Sequence, residues 1–194
     1  MIDEKKQVEQ YVRARLHRWQ GEKNEHILRA ELANLRRGVG KRPGELPELW
    51  GLMLGGFPEE LMSRTGEPTW AEWAVSGALT MYALHRQGAG RDVHADGQSL
   101  GRALCILARA DGRLEAVQRR FNAFATARSM PECMHHLRGL VSQLRSADIP
   151  LDYVRLAGDL YEFQMPDGAA RVRLRWGQDF YRDMNKDGKD DNNE

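Results

Sequence analysis

Lysine is scarce in this chain: only six of its 29 cationic residues are Lys, and the other 23 are Arg. Cysteine is scarcer still, with Cys105 and Cys133 alone. Two thiols exclude a disulfide framework and point to reduced cysteines in a cytosol. No apolar run approaches the ~18–20 residues that a membrane helix needs. The opening residues, Met1 to Lys6, are polar and lack the apolar stretch of a secretory signal. Mean hydropathy is −0.64, with 41% hydrophobic and 29% charged residues, the balance of a globular chain rather than a disordered one. Its 194 residues suit one domain or two small lobes. The expected setting is cytoplasmic, with no membrane partner.

The net charge of +1 conceals an asymmetry. Residues 183–194 carry five acids and two lysines, a net of −3, so residues 1–182 carry +1 − (−3) = +4. Arginine suits bidentate phosphate contacts and stacking on bases. A GC-rich genome produces the same Arg excess, so composition permits nucleic acid without requiring it.

The apolar spacing reads as helix almost throughout. Asp3 caps a helix with Val8, Tyr11, Val12 and Leu16 inward. A second runs from about Glu22 to Gly38, with Ile27, Leu28, Leu32 and Leu35 inward. Gly38-Val-Gly-Lys-Arg-Pro-Gly44 is a loop. Pro47 opens a short helix through Leu54, and Pro58 another through Met62. Thr69 caps a helix from Trp70 to Arg86, with Trp73, Leu79, Tyr82 and Ala83 buried. Residues 88–98, with Gly88, Gly90 and Gly97, form a flexible loop between lobes. Four segments follow: Ser99–Ala110, Arg113–Arg128, Pro131–Ser146 and Pro150–Gln164. Residues 171–176 alternate like a strand, but Val172, Trp176 and Phe180 fall four apart, which favours a last helix. Leu104, Phe121 and Tyr161 complete the expected core. The expectation is an all-α fold of roughly eight or nine helices, in lobes 1–87 and 99–182, with a disordered acidic tail at 183–194.

Two basic groups stand out. Arg29, Arg36, Arg37, Lys41 and Arg42 against Glu31 give +4 over residues 29–42, beside flexible glycines. Gly40-Lys41 resembles the end of a phosphate-binding loop, but Leu35 occupies the first glycine position and Arg42 the Ser/Thr position, which excludes nucleotide hydrolysis there. The second group comprises Arg102, Arg109, Arg113, Arg119 and Arg120, with Phe121 adjoining; against Asp111 and Glu115 it nets +3 over residues 102–120. Arg138 and Arg145 repeat a seven-residue spacing on the next helix. Cations in register on successive helices suit a track for a nucleic-acid backbone. The candidate contacts are Arg36, Arg37, Lys41, Arg42, Arg102, Arg119, Arg120 and Arg138.

Catalytic groups are sparse. Cys133, His135 and His136 cluster, yet no second ligand pair completes a zinc site, and His85 and His94 stand alone. No catalytic residue, metal or cofactor is assigned. Asp183, Asn185, Asp187, Gly188 and Glu194 fit the spacing of a calcium loop, but Asp190 replaces its apolar position and no exit helix follows Glu194. The tail therefore reads as an acidic end.

Leu35-Arg-Arg-Gly-Val-Gly-Lys41, Leu79-Thr-Met-Tyr-Ala-Leu-His85, Ser99-Leu-Gly-Arg-Ala-Leu104 and Gln118-Arg-Arg-Phe-Asn122 resemble the CasB family, the small subunit of the type I-E CRISPR effector complex Cascade. His136-Leu-Arg-Gly-Leu-Val141, Ile149-Pro-Leu-Asp-Tyr153 and Arg173-Leu-Arg-Trp-Gly-Gln-Asp-Phe-Tyr181 extend the resemblance in order. It implies a two-lobed helical protein without catalytic activity. It also implies two copies head to tail among the other Cascade subunits, on CRISPR RNA and target DNA, holding the displaced strand of the R-loop. Arg36, Arg37, Arg102, Arg119, Arg120 and Arg138 match basic positions of the family. Two further readings of the residues stay open: a stand-alone helical nucleic-acid-binding protein, and an enzyme using Cys133 with its neighbouring histidines.

Overall fold

The computed structural model describes residues 3–112 and 114–187. Among the described residues there are nine α-helices and no strand: α1 Glu4–Gly21, α2 Glu25–Arg37, α3 Trp50–Leu54, α4 Trp70–His85, α5 Leu100–Arg109, α6 Leu114–Ala125, α7 Met130–Ser146, α8 Tyr153–Phe163 and α9 Gly168–Asp187. Side-chain caps fix where several begin. Asp3 accepts the Lys5 amide, and Thr69 with Glu72 forms a reciprocal capping box on α4. Asn24 accepts the His26 and Ile27 amides, so α2 starts later than its apolar spacing suggests. Asp152, not Pro150, caps α8.

Helix α4 sits at the centre. Nearly every residue from Ala71 to His85 is buried, because α1, α2, α7 and α8 all pack on it. Residues of segments 1–87 and 99–182 join in one continuous core. Leu79, Tyr82, Leu104, Phe121 and Tyr161 are buried in it as expected. Three expected core residues are not. Leu28 is half-buried against the core, and Ile27 is 45% exposed, because α2 buries only Leu32 and Leu35. Trp73 is half-buried at the rim of a depression shared with Gly40 and Pro131, where no helix covers it.

Residues 171–176 are helical, and Val172, Trp176 and Phe180 form the buried stripe of α9. The α5–α9 crossing is close: a Cβ on Gly101 would lie 2.4 Å from the Trp176 carbonyl oxygen and 2.9 Å from the Phe180 nitrogen. Residues 88–98 are tied to the segment that leads into α8. Leu151 donates to the Val93 carbonyl at 3.0 Å, Asp152 to that of Gln98 at 2.7 Å, and Arg91 pairs with Asp148 at 2.8 Å.

Helix α9 continues through Asp187, so the first five positions of the calcium-like sequence are helical rather than looped. Gly188 and Glu194 lie outside the described residues, as does Arg113 of the basic group.

Charge is densely paired where α1, α8 and α9 meet. Asp159 and Glu162 of α8 are buried. Arg175 donates to both at 2.8 Å, and the Trp176 indole donates to Asp159 at 2.8 Å. Lys5 and Arg171 reach Glu162 at 2.8 and 3.0 Å. Arg175 above all, with Lys5 and Arg171, holds the Glu162 carboxyl down at about 2 despite its burial.

Candidate nucleic-acid interface

Helix α2 ends in Arg36 and Arg37, and Gly38 then lets the chain turn against Leu49: a Cβ there would lie 2.6 Å from that side chain. The loop that follows is less basic than its sequence suggests. Arg37 pairs with Glu48 at 3.0 Å, Lys41 with Glu45 at 2.6 Å, and Arg42 with Glu67. Exposed pairs of this kind contribute only ~0–1 kcal/mol, so phosphate can replace the carboxylate, but the local field is largely cancelled. Arg36 differs. It is half-buried and has no carboxylate partner among the described residues.

On α5, Arg102 is turned toward the end of α9. Its Nε donates to the Asp183 carboxylate at 3.0 Å and its Nη1 to the Gly97 carbonyl at 3.3 Å. Arg109 donates to the Asp183 backbone carbonyl. The seven-residue repeat at 102 and 109 thus clasps α9.

Helices α6 and α7 pack side by side and carry several uncompensated cations. Arg119 and Arg138 are exposed with no carboxylate partner among the described residues, and Arg120 lies against the Gln143 amide. Arg145 donates to Gln87 at 3.1 Å, again without an acid. Glu132 already accepts the Arg128 amide at 2.8 Å and faces His136 at 3.9 Å. At about 100° per residue, Gln143 and Arg145 point to opposite flanks of α7. The cations therefore divide into two sets. Arg119 and Arg120 lie on the α6 side. Arg138 and Arg145 lie on the side of α4, where Arg145 and residues 87–91 line one depression. The adjoining cleft is lined by Gln87–Gly90, Arg36 and Arg86. The result is a basic surface from Arg138 through Arg145 and Arg86 to Arg36.

The structure thus brings Arg36 and Arg138 onto one surface, keeps Arg119 and Arg120 on the neighbouring flank, and engages Arg37, Lys41, Arg42 and Arg102 in ion pairs. Sequence reasoning missed Arg86, although Arg145 was visible in its seven-residue spacing from Arg138. Phe121 is buried against Trp176 and Phe180, with ring centroids 6.4 and 5.8 Å away, and offers no face for a base.

The enzymatic reading finds little chemical support. Cys133 is fully buried, and burial pushes its thiol up to about 12, far from a thiolate at neutral pH. His94, Asp96 and Asp152 are close enough to suggest a metal. However, His94 Nδ1 accepts the Tyr153 amide at 3.2 Å, so the ring proton sits on Nε2, 3.5 Å from Asp96. Asp152 is occupied by the Gly97 and Arg155 amides. These donors are already committed.

Comparison with curated protein sequences finds no match. Among solved structures, the chain is similar to CasB from Thermobifida fusca, with 34% identity and a TM-score of 0.75 over 90% of this chain and 98% of that one. It is similar to a CRISPR-associated Cse2-family protein from Thermus thermophilus, with 25% identity and a TM-score of 0.68 over 89% and 97% of the two chains. CasB of M. ruber shares the fold at 24% identity, with a TM-score of 0.71 over 94% and 97%. The family described as CRISPR-associated protein Cse2 matches residues 31–181, which span α2 to α9 and nearly all the arginines discussed above. The chain belongs to the CRISPR-associated Cse2 (CasB) family.

Proposed function

We propose that this protein is a non-catalytic small subunit of a type I-E Cascade complex, holding the backbone of single-stranded nucleic acid without reading its sequence. One observation carries the reading: Arg36, Arg86, Arg138 and Arg145 line or adjoin two neighbouring depressions, with Arg119 and Arg120 on the next flank, and none of the six has a carboxylate partner among the described residues. Arg15, Arg64, Arg128 and Arg173 also lack one but do not line those depressions. Family membership supports assembly with other subunits, CRISPR RNA and a second copy arranged head to tail. Guide–target pairing exchanges one duplex for another of similar stability, so contacts to the displaced strand tip the balance toward the open R-loop. A basic surface does this through counterion release.

The test is R-loop lifetime in the reconstituted complex with Arg119, Arg120 and Arg138 changed to Ala. The expected result is shorter lifetimes on targets of unrelated sequence, with guide binding intact. Lifetimes equal to wild type across a salt series would overturn the reading. A loss confined to one target would indicate base reading and would also contradict it.

A further inference from the structure

The cleft that receives Arg36 has features a backbone track does not require. It lies between the end of α1, one side of α2 and the end of α4, with residues 87–90 closing one edge, and encloses about 750 Å³. That volume falls within the ~300–1,000 Å³ of small-ligand sites. Leu28 and Leu32 supply an apolar wall. Trp19 and Tyr82 stack beneath it, with ring centroids 5.6 Å apart and planes within 6°.

The charged groups in the cleft are unequally satisfied. Glu25 holds Arg29 at 2.7 Å, and Glu22 accepts the Asn24 amide at 2.8 Å. Asp92 accepts the Tyr82 hydroxyl at 3.1 Å, the His94 amide at 3.2 Å and the Gln20 amide group. On the cationic side, the Arg36 guanidinium has no partner among the described residues, and Arg86 meets the Ala89 carbonyl and the Tyr82 hydroxyl but no carboxylate. The acids Glu22, Glu25 and Asp92 match Arg29, Arg36 and Arg86 in number, but none of them pairs with Arg36 or Arg86. Two half-buried guanidiniums beside an apolar wall are therefore open to an anion attached to a flat apolar group.

We propose that this cleft binds one nucleotide unit, its phosphate on Arg36 and Arg86 and its base along Leu28 and Leu32. The same chemistry is offered by a nucleotide of a single strand and by a free nucleoside monophosphate. The strand source rests on the function proposed above; the free nucleotide does not.

Amide and indole NMR of the full chain, titrated separately with AMP, adenosine and a short oligothymidylate, needs no variant. The expected result is movement of the Gly88, Gly90 and Trp19 indole signals by a phosphorylated ligand, with adenosine about tenfold weaker. Movement by oligothymidylate alone assigns the strand, and movement by AMP assigns a free nucleotide. Leu28→Trp fills the cleft while keeping every cation. It should weaken the active ligand about tenfold without changing the salt slope, whereas Arg36→Gln should also flatten the strand's slope by ~0.7. If neither ligand moves these signals at millimolar concentration, or folded Leu28→Trp binds as wild type, the proposal falls. Unchanged strand binding in an Arg119→Ala, Arg138→Ala double variant would instead overturn the surface reading and leave the AMP result standing.

Discussion

Two faces of this protein handle the same side chain in opposite ways. Where α1, α8 and α9 meet, Lys5, Arg171 and Arg175 converge on the buried carboxylates Asp159 and Glu162, and Arg155 holds Asp179 at 2.6 Å. Elsewhere on the surface, Arg36, Arg119 and Arg138 have no acid among the described residues. The first set is structural: each charge is answered within the chain, so the face gains nothing from an outside anion. The second leaves positive charge unanswered within the chain, which a polyanion can satisfy. Arginine content alone therefore says little about binding; the distribution of carboxylates decides which arginines are available.

The contrast is tested most sharply by Arg175→Ala. Breaking the network from one side leaves buried Asp159 without a cation and Glu162 with only Lys5 and Arg171, and the expected loss is about 3 kcal/mol in denaturant unfolding at neutral pH. A loss as small as that of a surface arginine would mean the network is not what holds α8 to α9.

His85 gives an intermediate effect. It is buried beside Tyr153, its Nδ1 is 2.7 Å from the tyrosine hydroxyl, and its Nε2 has no partner. Burial first, and then the nearby Arg145 charge, push it down to about 4, with Asp148 and Asp92 opposing. The unfolded chain takes up this proton near pH 6.5 and the folded chain only near 4. Stability is thus fully present above about 6.5 and is lost as pH falls between those values. The expected drop from pH 7.5 to 5.5 is roughly 1.4 kcal/mol, measurable by unfolding at the two pH values. His85→Gln should flatten that interval; an unchanged slope would show that another group titrates there. Glu162 acts in a separate, more acidic window, losing its contribution as pH falls from 4.5 toward 2.

The smallest stability effect belongs to the open surface. Arg138→Ala should change unfolding free energy by less than ~0.5 kcal/mol. It should nevertheless flatten the logarithmic salt dependence of single-strand binding by ~0.7. Lys41→Ala with Arg42→Ala should flatten it less per charge removed, since those cations begin paired with Glu45 and Glu67. Equal flattening per charge removed at Arg138 and at Lys41 with Arg42 would remove the distinction drawn between paired and unpaired cations.

Helices and their starts were largely legible in the sequence, because caps and apolar spacing are local. Asp3 and Thr69 each cap the helix expected of them, and Ser99, the first residue of an expected segment, caps α5. Glu22 and Pro150 misplace two starts because a neighbouring Asn24 or Asp152 offers a side-chain acceptor at the position that counts. The basic residues were equally visible, but their availability was not. Arg42 meets an acid 25 residues away and Arg102 one 81 residues away, separations at which no spacing rule operates. The cleft was invisible for the same reason: Leu28, Arg36 and Arg86 come together only when α2 lies along α4.

The sealed thiols have a practical consequence. Cys105 and Cys133 are both wholly inside the core, one on α5 and the other on α7. A maleimide or disulfide reagent should find neither in the native protein, so the rate of labelling times the opening of the core and acts as a built-in clock for unfolding. For the same reason, a single cysteine introduced beside Arg138 or Gly88 could carry a fluorophore without first removing the native pair, giving a direct optical report of strand capture.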